Sequence, residues 1–292
     1  MNSSNRLPQG SPLPAERHWS GPPEPEAGFE ECPEAASRER GPVFEDSSLH
    51  PGELLRVASL GKSFILHLSG PAVLKALDRI SLSVRAGSCL ALKGPSGSGK
   101  STLLRCIYGN YRITSGEILI KHNGRPEALS QISPRRMLAL RHWVLGYVSQ
   151  FLRVIPRVSA LETVMEPLTA RGWPAGEARL EAAGLLDRLH IPRRLQSLPP
   201  ATFSGGERQR LNLARGLIWP ASILLLDEPT ASLDPANRET ACQLVEEAKA
   251  RGAAVIGVFH DPEVWSRLAD QVLEMRPPQP DQAVSPAGRR RP

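Results

Sequence analysis

Gly94-Pro95-Ser96-Gly97-Ser98-Gly99-Lys100-Ser101 is the stretch that decides how this chain folds. It follows a compact apolar run, Ser88 to Lys93, and leads into Lys100 to Tyr108, where good helix formers stand at helical spacing. The pattern G-x-x-x-x-G-K-[ST], set between a strand and a helix, predicts a phosphate-binding loop. Glycines bring the backbone close to an anion, and the first N–H groups of the helix point at it. In this reading Gly94, Pro95, Ser96, Gly97, Ser98 and Gly99 wrap nucleotide phosphates, with Thr102 next along the helix. Lys100 reaches the β- and γ-phosphates and the Ser101 hydroxyl ligates Mg²⁺. The competing reading is a chance glycine-rich turn, and the flanking strand and helix count against it.

A second stretch completes the first. Ile223-Leu224-Leu225-Leu226-Asp227-Glu228 is a buried apolar strand that ends in two carboxylates. Ligands of open α/β sheets bind at that carboxyl edge. Asp227 is predicted to hold Mg²⁺ through water, and Glu228 to orient or deprotonate an attacking water. Such a pair alone is often only a helix cap, but after a phosphate loop it points to nucleotide hydrolysis.

Around these stretches the pattern predicts short strands at Leu54 to Leu60, Ser63 to Leu68 and Leu77 to Val84, with glycine breaks between them. Gly116 to His122 and Trp143 to Ser149 read as further strands. From Ser159 to about Trp219 the pattern is helical, interrupted at Pro167, Pro174, Pro192 and Pro199-Pro200. A helix (Pro235 to Arg251), a second buried strand (Ala253 to Phe259) and a short helix after Pro262 follow. Continuous apolar strands alternating with helices imply a parallel sheet covered on both faces. The predicted fold is α/β: a P-loop NTPase core with a parallel sheet, an N-terminal antiparallel β layer and a helical insertion over about 151–219.

Phe203-Ser204-Gly205-Gly206-Glu207-Arg208-Gln209-Arg210 opens a helix just before the acidic strand. Ser and two glycines at a helix start read either as a second anion site or as a loop and cap. The order of the whole series resembles the ATP-binding-cassette (ABC) ATPases: phosphate loop, Gln150, the Ser-Gly-Gly element, Asp227-Glu228, Ser232-Leu233-Asp234 and His260. The resemblance implies a Mg²⁺-dependent ATPase with two subunits packed head to tail, as a homodimer or with a related ABC subunit. Each ATP then lies between the phosphate loop of one subunit and Ser204, Gly205, Gly206 and Glu207 of the other. Glu207 stands where the family more often has Gln. The resemblance also implies that Gln150 senses Mg²⁺ and the attacking water, Asp234 couples the two sites at the dimer seam, and His260 holds the γ-phosphate and the water. Phe64 is the candidate for stacking on adenine, with an ordinary core Phe as the alternative.

Four stretches resemble one branch of the family, the L-type subunit of the carbon–phosphorus lyase system of phosphonate degradation. They are Lys62 to His67, Ser149 to Glu162, Pro200 to Glu207 and Arg251 to Asp261. That branch implies association with α-D-ribose 1-methylphosphonate 5-triphosphate synthase activity and ATP-driven remodelling of the lyase core complex. The alternatives are the ATPase of a phosphonate or lipoprotein-type membrane permease, and a binding module with negligible turnover.

The remaining sequence narrows the field. The 292 residues are 40% hydrophobic and 23% charged, the balance of an ordinary globular chain, with no run long enough for a membrane-spanning helix and no secretory leader. Cys32, Cys89, Cys106 and Cys242 form no C-x-x-C pair, which predicts reduced thiols in the cytoplasm. The net charge of +6 is uneven: −5 over 1–50 and +3 over 276–292 leave +8 between them. That surplus favours anionic ligands. No aromatic-basic interleaving suggests a base-stacking surface, so nucleic acid is not an expected partner. Residues 1–52, rich in Pro and Glu, and 277–292 read as disordered tails, leaving 53–276 as the ATPase domain.

Overall fold

The computed structural model describes residues 48–66, 72–152 and 155–278. The two tails, apart from their inner edges, lie outside the described residues, as do Cys32, His67, Leu68, Arg153 and Val154.

A five-stranded parallel sheet carries the fold, in the order β6-β7-β8-β3-β9. Its strands are β3 (Cys89–Lys93), β6 (Leu145–Val148), β7 (Ile223–Asp227), β8 (Ala254–Val258) and β9 (Gln271–Glu274). Strand side chains alternate faces, and here both faces are dry. Cys89, Ala91, Leu224, Leu226 and Val255 enter one core, with the helices that follow. Leu90, Leu92, Ile223, Leu225, Ile256 and Val258 enter the other, under the antiparallel sheet and the first helix. Burial on both sides is why these strands read as unbroken apolar runs.

The antiparallel sheet has the order β2-β1-β4-β5, from β1 (Glu53–Leu66), β2 (Ala72–Arg85), β4 (Ser115–His122) and β5 (Arg125–Ala128). The glycine break expected after Leu60 is instead a bulge within one long strand. β1 runs through Gly61, and its register with β2 shifts between Leu60 and Lys62. Two short edge strands, β5 and β9, and one helix, α2 (Pro134–Trp143), are additions to the expected series.

Helix α1 (Lys100–Ile107) begins directly at the glycine-rich loop and buries Leu103, Leu104, Cys106 and Ile107. The helical region comprises α3 (Ala160–Thr169), α4 (Ala175–Arg188), α5 (Arg193–Gln196), a 3-10 turn (Pro200–Thr202) and α6 (Gly205–Leu217). Pro174, Pro192 and Pro199 stand at the starts of elements, as expected of breakers. Pro167 does not break its helix; it sits inside α3, three residues from the helix's C-terminal boundary at Ala170, where its missing N–H removes one bond. α7 (Pro235–Ala250) and α8 (Pro262–Leu268) are the last helices among the described residues, and β9 follows them. Among the described residues no helix is long and apolar enough to cross a membrane, and Cys89, Cys106 and Cys242 are free and buried.

Leu225 is fully buried in the middle of the sheet. Leu225→Ala is predicted to cost about 2–5 kcal/mol of unfolding free energy, measured by urea denaturation.

Candidate active site

The turn after β3 has two glycines that no other residue replaces. Gly94 has φ +148° and Gly99 has φ +89°; a Cβ on Gly94 would lie 2.2 Å from the Met275 carbonyl oxygen. A Cβ on Gly99 would lie 2.5 Å from the Ala76 carbonyl oxygen. The loop is therefore packed against the chain on its outer side, which frees its inner side for a ligand. Ser96, Gly97, Ser98, Gly99, Lys100, Ser101, Gln150, Glu228 and His260 line one cavity of about 230 Å³.

Two features of that cavity fit a phosphate chain. Lys100, mostly buried, donates from Nζ to the carbonyl oxygens of Gly94 (2.8 Å) and Pro95 (2.9 Å). Ser98 Oγ is buried with no protein hydrogen-bond partner. A cation on its own loop and an unpaired hydroxyl are groups that an oxyanion satisfies.

At the end of β7, Asp227 is fully buried. Ser101 Oγ donates to its Oδ1 at 2.8 Å and the Tyr147 hydroxyl to its Oδ2 at 3.3 Å. Burial pushes this carboxyl up from its ordinary pKa, while Ser101, Tyr147 and the Arg105 charge pull it down. The donor set is hard oxygen, as Mg²⁺ requires, and no three of His, Cys, Asp or Glu converge on a metal among the described residues.

Glu228 lies one residue on, held in a left-handed backbone conformation with φ +54°. For a residue with a side chain this costs on the order of 1 kcal/mol or more. Three contacts hold it there: its N–H donates to the Val258 carbonyl at 3.2 Å, and Gln209 Nε2 donates to the carbonyls of Glu228 (3.1 Å) and Pro229 (3.0 Å). The twist turns the carboxylate into the cavity. There Gln150 Nε2 donates to Oε2 at 3.2 Å, and His260 Nε2 stands 2.8 Å from Oε1. Three residues from three strand ends, β6, β7 and β8, thus meet at one carboxylate.

A family model described as ABC transporter matches residues 77–231. The chain belongs to the ABC transporter family. The lipoprotein-releasing system ATP-binding protein LolD of Shewanella sp. (strain MR-4) is 37% identical over 224 residues, 76% of this chain and 93% of that protein. The macrolide export ATP-binding/permease protein MacB of Hyphomonas neptunium is 37% identical over 208 residues, 71% of this chain and 31% of that protein. Among solved structures, the dimeric post-hydrolysis ATP-binding cassette MJ0796, bound to ADP and Pi, matches with a TM-score of 0.69 at 28% identity. That match covers 77% of this chain and 95% of the other. The protein is an ATPase of the ABC type. These relatives carry lipoprotein-release and macrolide-export names, so the comparisons support the permease alternative better than the carbon–phosphorus lyase branch.

In this ABC ATPase the Ser-Gly-Gly element, Asp234 and Phe64 do not line the loop cavity. Ser204 caps α6 in a reciprocal box: Glu207 N–H donates to Ser204 Oγ (3.3 Å), and Ser204 N–H donates to Glu207 Oε2 (2.7 Å). Ser204 holds the Glu207 carboxyl below its usual pKa, so the helix end carries a negative charge that Gln would not bring. Gly205 and Gly206 form the first turn behind it. Asp234 caps α7 through Asn237 N–H (3.0 Å) and stands 3.9 Å from Arg210. Phe64 meets the Tyr111 ring edge-on at 5.2 Å, with Lys62 Nζ 4.6 Å from its ring centre. Tyr147, Arg105 and Gln209, which no motif singled out, support the two carboxylate residues. The signal for Gln209 was present, one turn into the Ser-Gly-Gly helix.

Gly99→Ala is predicted to abolish measurable ATP binding in calorimetry and to lower the melting temperature. A variant that binds ATP normally would mean the loop tolerates displacement from Ala76 and Leu77.

Proposed function

We propose that this chain is the Mg²⁺-ATP-driven motor of a membrane transporter of the export or lipoprotein-release kind, working as a head-to-tail dimer beside the membrane. The observation that carries the ATPase half is the Glu228 carboxylate held between Gln150 and His260, one residue beyond the Ser101–Asp227 pair.

In this reading Gly94 to Gly99, with the N–H groups of Lys100, Ser101 and Thr102, wrap the phosphates. Lys100 Nζ leaves its two loop carbonyls for β- and γ-phosphate oxygens. Ser101, Asp227 and Gln150 hold Mg²⁺, which when bound neutralises charge on the phosphates. Glu228 takes the proton of a water as its oxygen attacks the γ-phosphorus; the bond from that phosphorus to the β-phosphate oxygen breaks, giving ADP and phosphate. His260 Nε2 reaches the γ-phosphate and keeps the water in line. Ser204, Gly205, Gly206 and Glu207 of a second subunit close over the nucleotide, with Asp234 at the seam and Phe64 against adenine. The dimeric state of MJ0796 and the names LolD and MacB support the dimer and the permease partner.

The partner surface in this reading begins directly after Gln150, where Phe151 is 76% exposed and Ile155 59% exposed. Large apolar side chains this open beside Gln150 suit a docked partner. The same segment favours one second reading, since Ser149 to Glu162 is among the stretches that resemble the carbon–phosphorus lyase subunit. There the partner is the soluble lyase core complex and the location the cytoplasm.

Glu228→Gln should keep ATP affinity and lose about 100-fold or more in hydrolysis, measured by phosphate release. Equal turnover in variant and wild type would leave a binding module. Affinity capture with this variant and Mg-ATP from the native host separates the partners. A multi-spanning membrane protein supports the transporter reading, and soluble lyase subunits replace it with the second.

A further inference from the structure

The buried carboxylate at the end of β7 is supported from behind by a chain of side chains that the reaction itself does not use. Tyr147 leaves β6 beside Asp227 and donates its hydroxyl to Asp227 Oδ2 at 3.3 Å. Tyr108 packs its ring on Tyr147 at 4.9 Å, so the phenol has little freedom to swing away and its proton stays aimed at Asp227. The other carboxylate oxygen is left to Ser101. A fully desolvated carboxylate keeps one rotamer when both oxygens are fixed in this way.

We propose that Tyr147 is a positioning residue for the metal: its hydroxyl sets the Asp227 carboxylate for Mg²⁺. The inference rests on the reading of Asp227 as the metal-side carboxylate.

The test measures ATP affinity by calorimetry with Mg²⁺ and with EDTA, all in the Glu228→Gln background so that no turnover intervenes. The ratio of the two affinities reads the metal's contribution. Tyr147→Phe, which keeps the ring and its packing, should lower that ratio about tenfold, the usual cost of removing an outer-shell partner. Its EDTA affinity should stay within about twofold of the parent, because the phenol touches no phosphate-binding group. Asp227→Asn is the control for the underlying reading. An unchanged ratio in Asp227→Asn overturns both the reading and the inference. A reduced ratio there with an unchanged one in Tyr147→Phe overturns the inference alone. So does an equal loss in Mg²⁺ and EDTA.

Discussion

A strand buried along its whole length and ending in two carboxylates is the constraint on which the site depends. β7 is apolar from Ile223 to Leu226 because both faces of the sheet are covered. Its last residue, Asp227, is then a desolvated acid, which is tolerable only where donors reach both oxygens. Ser101 and Tyr147 supply them. The phosphate loop and the acidic strand end are thereby held together by one hydrogen bond, Ser101 to Asp227, across 126 positions of sequence.

The next residue shows what the fold sacrifices for chemistry. Glu228 occupies a backbone region that favours glycine, yet a glycine would carry no carboxylate. The strain is offset by Gln209, whose amide reaches two successive carbonyls from the Ser-Gly-Gly helix. α6 therefore has two tasks. It pins the acidic turn in its own subunit and, in the proposed dimer, offers its N-terminus to the other.

The phosphate loop and the strand-end acids were legible from their own pattern, and Gln150 and His260 were pointed to by the resemblance their order carries; the structure brings these two to Glu228, while Ser204 to Glu207 do not line that cavity. The parallel sheet was legible too, because unbroken apolar runs leave few alternatives. What escaped was through-space or local to edges. Nothing in the order of residues pairs Tyr147 with Asp227. β5 and β9 are short edge strands without alternation, and β5 contains Pro126, which only an edge tolerates. Gly61 reads as a break and is a bulge, because partner strands on both sides keep β1 intact. The partner was the least legible feature, since four stretches resemble one branch while overall similarity gives relatives with lipoprotein-release names.

In the proposed dimer the loop of one chain and the α6 end of another complete one ATP site. Sedimentation velocity of the Glu228→Gln chain, with and without Mg-ATP, reads this out. A one-chain species should convert to a two-chain species when Mg-ATP is added, with no conversion once Ser204 is replaced by Arg. A species that stays at one chain with saturating Mg-ATP, or a dimer indifferent to nucleotide and to Ser204, would contradict it.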